Sequence, residues 1–401
     1  EHSRLGRLRR TDRRPTIGLD SEKAFLGSPS AAMDCYSRPR SVVGATMCAE
    51  VPQATIRNAR EEDWPEVVEL LLEVFRRWPA FELDVSPLEH LRWKMRSDPI
   101  VARHQWVAEI DGRIAATLLR IVRRIRIRGR DFLLRDNVDV AVDPSHGKRG
   151  LYRAISQHAW DSPQASELPL SFSYSTNPRV RRKTADERLK TFGNPIQVLE
   201  KPYRVRAIVA RRREKYGGRL PLPLAALRIE LERVLNRLGH RPYWRSAKGA
   251  WSIATLERFD DRIDGFFEQA SEPFDLVIVR GRDYMNWRYC DPAAGGFTVR
   301  VAEQQGRLLG YSVLRITEGE GYIADLMALP GRTDLVRSLI EDSLRIFRRA
   351  RVERVCCWMI SRHPYNRVLR RHGFIDTKRD VGFRYWAENF EGCDLGFLAD
   401  A

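Results

Sequence analysis

The sequence lacks the features that identify a membrane-spanning or secreted protein. Over 401 residues, no apolar run approaches the roughly 18 residues that a membrane-spanning helix requires. The opening segment EHSRLGRLRRTDRRP is basic and interrupted by proline, so it has no apolar core of the kind found in a secretory signal. We therefore expect a cytoplasmic protein with no membrane span.

Cysteine and histidine are also scarce, with six and eight residues respectively. The cysteines form no CxxC pair and have no histidine at metal-ligand spacing, which argues against a disulfide framework and against a zinc site. Cys356 and Cys357 are adjacent in the apolar segment RVCCWMI, which predicts a buried strand whose thiols act as small hydrophobic groups. The other cysteines are Cys35, Cys48, Cys290 and Cys393. We predict reduced structural thiols and no metal.

Acidic residues are outnumbered by basic ones. Lys and Arg total 70 against 53 Asp and Glu, which gives a net charge of +17 and a pI near 10.0. A basic protein is a candidate for nucleic-acid binding, because Lys and Arg neutralise phosphates. However, the positive charge is spread along the chain, with one dense cluster between residues 179 and 215. We therefore do not expect a nucleic-acid partner, and expect instead an acidic ligand such as a coenzyme phosphate.

The length and a hydrophobic fraction of 43% are sufficient for two domains with separate cores. Residues 1–52 mix Arg, Ser, Gly and Pro without a sustained period, which predicts a disordered extension or an upstream reading artefact. Over residues 53–203 the pattern predicts a strand, two helices, three antiparallel strands, a glycine loop, a helix and a further strand. The first two antiparallel strands, in WVAEIDGRIAATLLRIV, are predicted to form a hairpin at the Asp111-Gly112 turn, and the third is NVDVAV. This order is typical of an α/β protein whose mixed sheet has helices on both faces.

A connecting segment, residues 204–250, follows this first unit. It opens with the basic run ARRREKYGGR and contains a predicted helix from Leu222 to Leu238. The same order of elements then recurs over residues 251–390, before a short tail at residues 391–401. Residues 53–203 are called the first copy below, and residues 251–390 the second copy.

Four short segments of the first copy recur in the same order in the second. First, Trp93-Lys94 followed by Asp98-Pro99 matches Trp287-Arg288 followed by Asp291-Pro292. Second, VAEIDGRI matches VAEQQGRL, and third, NVDVAVDP matches YIADLMALP. Fourth, the ending from Asn177 to Gly193 matches the ending from Asn366 to Phe374. The third match aligns Asp139 with Asp325. Four matches in one order indicate that the chain contains two copies of one fold.

The segment VDVAVDPSHGKRGLYRAI, in which a strand leads through a glycine loop into a helix, resembles the corresponding segment of the GNAT acyltransferase superfamily. The resemblance covers most of residues 55–375 and implies two tandem GNAT-like domains, each with a central mixed, mostly antiparallel sheet flanked by helices. In this family the loop has the pattern Arg/Gln-x-x-Gly-x-Gly/Ala, and its backbone N–H groups bind the pyrophosphate of acetyl-CoA at the helix N-terminus. The implied co-substrate is acetyl-CoA or another acyl-CoA.

The resemblance assigns cofactor contacts to this loop and to the strand before it. Gly150 occupies the position of the family glycine, whereas Gly147 stands where Arg or Gln is usual and Tyr152 where Gly or Ala is usual. The residues predicted to bind acyl-CoA are Gly147, Lys148, Arg149, Gly150, Leu151, Tyr152 and Asn177. The strand residues Val140, Ala141 and Val142 are predicted to hold the pantetheine arm through their backbone groups.

Acyl transfer to an amine requires one group that accepts the amine proton and one that protonates the departing thiolate. Asp139, on the strand before the loop, is the candidate base. Many family members carry a Tyr four residues before the glycine of a closing Gly-Phe, but this sequence has Leu189 and Leu369 at the two corresponding positions. Tyr152 is therefore the candidate acid, with Tyr174 as an alternative.

The second copy lacks a comparable phosphate loop, because only the short segment Pro330-Gly331-Arg332-Thr333 follows its strand. It keeps the aromatic segment YMNWRYCDP. We predict that Trp287 and Tyr289 of this segment line a substrate cleft, with core packing as the alternative. The second copy is interpreted as a degenerate half that completes the acceptor site or stabilises the pair.

These features together predict transfer of an acetyl or short acyl group from CoA to a primary amine of a small-molecule acceptor, which the sequence does not identify. Two alternatives stay open. A tandem-GNAT aminoacyl transferase that uses charged tRNA would explain the basic excess and the altered loops. A non-catalytic CoA-binding module would explain the missing Tyr in both copies. The sequence gives no indication of oligomeric state.

Overall fold

The computed structural model describes residues 54–96, 98–147, 150–175, 189–205, 209, 222–238, 250–379, 381–387, 390 and 395–400. The predicted N-terminal extension, residues 1–52, lies outside these ranges, as does the basic run ARRREKYGGR. The predicted boundaries of the extension and of the connecting segment therefore remain predictions.

The elements of the first copy follow the predicted order. The strands are β1 (Thr55–Asn58), β2 (Trp106–Ile110), β3 (Arg113–Ile127), β4 (Arg130–Val142), β5 (Leu170–Ser175), β6 (Lys190–Thr191) and β7 (Ile196–Pro202), and the helices are α1 (Trp64–Phe75), α2 (Pro87–Lys94) and α3 (Leu151–Asp161). α1 has Pro65 in its first turn, where a missing N–H costs no intrahelical hydrogen bond. α2 begins at a capping box formed by Ser86 and Glu89.

The connecting helix α4 (Leu222–Leu238) has the predicted bounds. Among the described elements, the second copy then repeats the order of the first, with one additional short strand between its first two helices and one additional helix near its end. Its elements are β8 (Ser252–Leu256), α5 (Arg262–Ser271), β9 (Leu276–Ile278), α6 (Arg282–Met285), β10 (Phe297–Gln304), β11 (Arg307–Thr317), β12 (Glu320–Ala328), α7 (Thr333–Arg349), β13 (Arg354–Ile360), α8 (Tyr365–Arg371), β14 (Ile375–Asp376) and β15 (Gly382–Ala387), followed by α9 (Phe397–Asp400).

The first sheet has the strand order β1-β2-β3-β4-β5-β15-β6, with β9 also paired to β3. β2 and β3 form the predicted hairpin at Asp111-Gly112, where both residues have a positive φ, as a tight two-residue turn requires. A second hairpin, at Arg128-Gly129, joins β3 and β4 and lengthens both strands beyond their predicted ends. Only β4 and β5 pair in parallel among the strands described in this sheet. The predicted mixed, mostly antiparallel sheet is therefore confirmed.

The second sheet has the order β14-β7-β13-β12-β11-β10-β8, again with one parallel pair, β12 and β13. The two copies exchange their final strands. β7 of the first copy pairs with β13, and β15 of the second copy pairs with β5. The predicted boundaries at residues 203 and 251 divide the sequence repeat but do not divide the two sheets, because each sheet contains a strand from the other copy.

The hydrophobic packing confirms that the copies form one body. One cluster of buried residues combines Leu134 and Phe172 of the first copy with Leu276 and Phe383 of the second. A second contact is made by the repeated tryptophans Trp93 and Trp287, whose rings stack with their centroids 5.1 Å apart. The Nε1–H of each donates to the backbone carbonyl of the other, at 2.9 and 3.0 Å. Reciprocal contacts between equivalent residues are the mark of a twofold interface, here formed within one chain.

None of the helices in the described part of the chain combines the length and the apolar character needed to cross a bilayer.

Candidate functional site

The candidate site lies where β4 and β5 separate in the first sheet. These parallel strands pair at three positions, of which Asp136–Phe172 is the last, although β4 continues well beyond it. The same stretch of β4 contains a β-bulge, because Leu118 of β3 lies opposite both Asp139 and Val140. Beyond Asp136 the edge of β4 that faces β5 makes no strand pairing among the described residues.

Asp139 lies in this bulge with a φ of 46°, in the left-handed region that most side chains avoid. Its carboxylate is fully buried. Oδ1 accepts a hydrogen bond from Nε1 of Trp78 at 2.8 Å, and Oδ2 accepts one from Nζ of Lys94 at 2.6 Å. Burial lowers the pKa of Lys94, and the Asp139 carboxylate opposes that shift. Both oxygens are therefore engaged by other side chains, and the role of Asp139 as a base stays a prediction.

The loop after β4 turns the chain into α3. Oδ1 of Asp143 accepts hydrogen bonds from the backbone N–H of Ser145 at 2.7 Å and from its hydroxyl at 2.6 Å, which closes a turn at the end of the strand. Gly150 precedes the helix with a φ of 79°, a conformation that favours glycine. No side chain caps the start of α3 within the described residues, so its first-turn N–H groups remain available to an anion. Lys148, Arg149 and Asn177 lie outside the described residues.

The predicted strand residues face both sides of the sheet. Val140 and Val142 are partly buried and pack with the cluster beneath α3, whereas Ala141 is buried with the cluster beneath α1. Leu151, the first residue of α3, is buried in the cluster beneath that helix and holds its start against the sheet. Backbone contacts to a pantetheine arm at Val140 to Val142 remain a prediction.

Tyr152 lies in the first turn of α3, and 39% of its surface is exposed. This position is at the phosphate end of the predicted cofactor site. In the predicted cofactor site the pantetheine arm lies between this position and the thioester. The role of Tyr152 as catalytic acid stays a prediction. The side chain of the alternative, Tyr174, lies outside the described part of the chain.

The loop glycine Gly147 has little free space. A Cβ there would lie 3.1 Å from the carbonyl oxygen of Pro144, a close contact with rigid backbone. A glycine at this position thus allows the turn that leads towards α3.

In the second copy the corresponding strands also separate, but side chains of the chain itself fill the space between them. Arg280 donates to both carboxylate oxygens of Asp325, at 2.8 and 3.2 Å. The Tyr365 hydroxyl accepts a hydrogen bond from the backbone N–H of Ala328 at 3.1 Å. A cavity of about 20 Å³ remains beside Arg280, Asp325 and His363, which is space for about one water molecule. The Asp325 carboxylate and the Ala328 N–H are therefore satisfied by side chains of the chain itself.

The predicted substrate-cleft residues of the second copy take part in packing. Tyr289 is buried, with 2% exposure, in a core cluster of the second copy. Trp287 is held against Trp93 at the contact between the copies. Tyr289 therefore packs in the core, as the alternative had it, whereas Trp287 is half-buried and its contact with a substrate stays a prediction.

Sequence reasoning missed the partners of the two aspartates. Lys94 has a signal in the sequence, since it is adjacent to Trp93 in the repeated Trp-Lys and Trp-Arg pairs. Trp78 and Arg280 carry no motif, and only the tertiary structure brings them to Asp139 and Asp325. Within the described residues, no group of three or more His, Cys, Asp or Glu side chains is positioned to hold a metal ion.

Comparison with known proteins identifies a match for the segment that contains the candidate site. Residues 55–184 match the family model described as an acetyltransferase (GNAT) domain. No curated protein sequence matches the chain. The matched segment contains the β4 bulge, the glycine loop and α3, which are the features of the candidate site.

Three solved structures share the fold of nearly the whole chain, each at 11% sequence identity. A probable N-acyltransferase from Enterococcus faecalis has a TM-score of 0.52, covering 84% of this chain and 71% of that one. A GCN5-related N-acetyltransferase from Anabaena variabilis has a TM-score of 0.53, with coverage of 83% and 72%. N-myristoyltransferase from Saccharomyces cerevisiae, with bound myristoyl-CoA, has a TM-score of 0.55, with coverage of 90% and 86%. Residues 55–184 therefore match a GNAT acetyltransferase domain, and nearly the whole chain shares the fold of these three structures.

Proposed function

We propose that the protein is an N-acyltransferase that moves an acetyl or other short acyl group from CoA to a primary amine of a small-molecule acceptor. The observation that supports this most strongly is the difference between the copies. The first copy combines separated strands, a bulge and a glycine at the start of α3, whereas Arg280 and Tyr365 occupy the equivalent space in the second. We therefore propose one acyl-CoA site per chain, in the first copy.

The residues of the first copy suit the pyrophosphate of CoA. Gly150 removes a Cβ from the approach to the helix, and the uncapped first turn of α3 offers backbone N–H donors and the positive end of the helix dipole. Lys148 and Arg149 add positive charge at the same loop, which suits charge-assisted hydrogen bonds to phosphate. Asn177 is kept as a further proposed contact. The separated edge of β4 would hold the amides of the pantetheine arm.

The bulge supplies what acyl transfer most needs from the protein. As the amine nitrogen attacks the thioester carbon, negative charge develops on the carbonyl oxygen, and a fixed backbone N–H aimed at that oxygen stabilises it. We propose that Asp139, anchored by Trp78 and Lys94, is a positioning residue that fixes this part of β4. The C–S bond then breaks, and the amine proton passes through water to the departing thiolate, so that the products are an amide and free CoA.

A second candidate function, a CoA-binding module without catalytic activity, is favoured by one specific observation. The only acidic residue predicted to act as a base, Asp139, has both oxygens engaged by other side chains. Binding of acyl-CoA without turnover would distinguish this candidate from the enzyme.

A thiol-release assay on the full-length protein tests the proposal. Acetyl-CoA and myristoyl-CoA would each be mixed with a panel of primary amines, the latter donor because the yeast structure contains it. We expect free CoA to appear only when an amine is present, and we expect the Gly150→Val variant to lose this release. Acyl-CoA binding with no release on any amine would favour the second candidate, and failure to bind acyl-CoA would contradict both.

A further inference from the structure

The connecting helix α4 carries an apolar stripe on its exposed side. Eight large hydrophobic side chains are exposed among the described residues, and five of them belong to this one helix, with exposures from 46% to 63%. They are Leu224, Leu227, Leu231, Val234 and Leu235. Their spacing of three and four residues places them on one side of the helix, in a stripe about 100° wide.

The stripe is not the face with which α4 packs on the protein. Ala226 is buried, and with Ala225 and Ile229 it packs against Val205 and Val209. These contacts lie on the side of the helix opposite to the stripe. Exposed apolar surface of this kind, concentrated on one helix, is typical of a surface that docks on something.

The surface beside α4 is strongly basic. A groove of about 400 Å³ lies between α7, α8 and the end of β7. Four cations and one carboxylate line it, together with a leucine and a histidine: Lys201, Arg345, Arg348, Arg371, Glu341, Leu344 and His372. The groove borders α4, because α4 contacts α8, which forms one wall of the groove. In addition, Arg233 of α4 and Arg348 of the groove both act electrostatically on the Tyr203 hydroxyl. α4 also contacts β14, which is followed by the exposed Lys378 and Arg379.

The sequence on either side of α4 has the same charge. Residues 204–220 contain seven basic residues and one acidic residue. Residues 239–249 contain three Lys or Arg residues, no acidic residue, and the aromatic pair Tyr243-Trp244. An amphipathic helix with basic and aromatic flanks is the sequence pattern of a helix that lies in a membrane interface.

We propose that this face of the protein docks on an anionic lipid bilayer, with α4 lying in the plane of the interface. The apolar stripe would enter the boundary between headgroups and acyl chains, and the exposed Arg345 and Arg348 of the groove would face the lipid phosphates. This proposal concerns where the protein works and is independent of the acyl-transfer reaction.

A second copy of the chain is a poorer occupant for the stripe. Two such faces brought together would place their basic grooves near each other, and like charges would oppose the contact. Five aliphatic side chains on a 17-residue helix also supply only part of the roughly 800 Å² per partner that a stable dimer requires. An anionic bilayer, in contrast, complements both the stripe and the charge.

Vesicle sedimentation of the full-length protein tests the docking. The vesicles would contain either phosphatidylcholine alone or equal parts of phosphatidylcholine and phosphatidylglycerol. We expect sedimentation with the phosphatidylglycerol vesicles, weakened by added salt. The double variant Leu227→Gln/Leu231→Gln keeps good helix formers at both positions. It should bind the vesicles at least about tenfold more weakly, because it removes apolar area from the stripe.

One further variant serves as a control, and another tests the basic groove. Leu72→Gln/Ile316→Thr changes two exposed apolar residues elsewhere, with 37% and 42% exposure, and should bind like the wild type. Arg345→Gln/Arg348→Gln should weaken binding to the phosphatidylglycerol vesicles. Circular dichroism and melting temperatures would show that each variant is folded. The proposal is overturned if the wild type does not sediment with anionic vesicles, or if the stripe variant binds equally well. It is also overturned if the wild type is a dimer that the stripe variant converts to a monomer.

Discussion

Two aspartates that the repeat aligns, Asp139 and Asp325, each complete a buried charge pair. Lys94 reaches Asp139 from α2, whereas Arg280 reaches Asp325 from the segment between β9 and α6. The same residue type thus neutralises a cation beside the separated strands in each copy. In the first copy the pair lies within the bulge, and in the second it fills the space where a ligand would enter.

Replacing Asp139 by Asn should destabilise the protein strongly. The substitution leaves the Lys94 ammonium buried without its counter-charge, and breaking a buried pair in this way costs about 3–5 kcal/mol. Urea unfolding would measure the loss of stability. The Lys94→Met/Asp139→Leu double variant should recover much of it, because apolar replacement of both partners is often neutral. In the folded Asp139→Asn variant, the acidic limb of the kcat/KM profile should persist. Its disappearance would show that Asp139 accepts the amine proton.

His363 should make the protein less stable as the pH falls. Burial, with a smaller effect of Arg280, lowers its pKa from 6.5 to about 3, so the folded state keeps the imidazole neutral while the unfolded state takes up a proton. Stability from this residue is complete above pH 6.5 and decreases as the pH falls towards 3. Replacement by Phe should therefore flatten the fall in unfolding free energy between pH 6 and 4 by about 1.4 kcal/mol per pH unit. An unchanged slope in urea unfolding would contradict this assignment.

At the scale of elements, the pairing of backbone groups between strands determines where the site residues lie as much as side-chain packing does. The sequence predicted the hairpin at Asp111-Gly112 and the helix α4 because each depends on local signals. It did not predict the position of the Asp139 side chain. Strict alternation would place Val138 and Asp139 on opposite faces, but with the bulge both contact the α1–α2 side. A bulge depends on the partner strand, so the sequence of β4 alone does not specify it.

The space between the separated strands β12 and β13 of the second copy gives a prediction at this scale. The Tyr365 hydroxyl of α8 accepts the hydrogen bond of the Ala328 N–H on β12. Tyr365→Phe leaves that N–H without its acceptor and should cost about 1–3 kcal/mol in thermal or urea unfolding. Acyl-CoA affinity should not change, because the proposed site is in the other copy. A marked loss of affinity in calorimetry would mean that the second copy binds the ligand.

At the scale of the whole molecule, the strand exchange decides how the chain folds. The sequence repeat predicted two units, but which strand pairs with which depends on contacts far apart in the chain, and sequence periodicity does not encode those contacts. β15 completes the first sheet and β7 the second. The paired tryptophans Trp93 and Trp287 join the copies at a second place. Neither copy is therefore expected to be stable alone.

Expression of residues 53–203 alone tests this dependence. Without β15 and β9, the edge of β5 and part of the edge of β3 lose their pairing, and the cluster around Phe172 loses its second-copy half. We expect an aggregated or molten product with no cooperative melting transition. Co-expression with residues 204–401 should restore a cooperative transition. A stable, monomeric first copy would contradict the dependence inferred from the exchange.

The central claim, that one acyl-CoA binds per chain in the first copy, is tested most directly by calorimetric titration of the full-length protein with acetyl-CoA and longer acyl-CoAs. Gly150→Val is compared with Gly331→Val, which alters a glycine of similar positive φ in the loop of the second copy. We predict one site per chain, an affinity reduced at least about tenfold by Gly150→Val because a Cβ blocks the approach of phosphate to the backbone, and no change with Gly331→Val. Two sites per chain, or an affinity lost only in Gly331→Val, would contradict the claim.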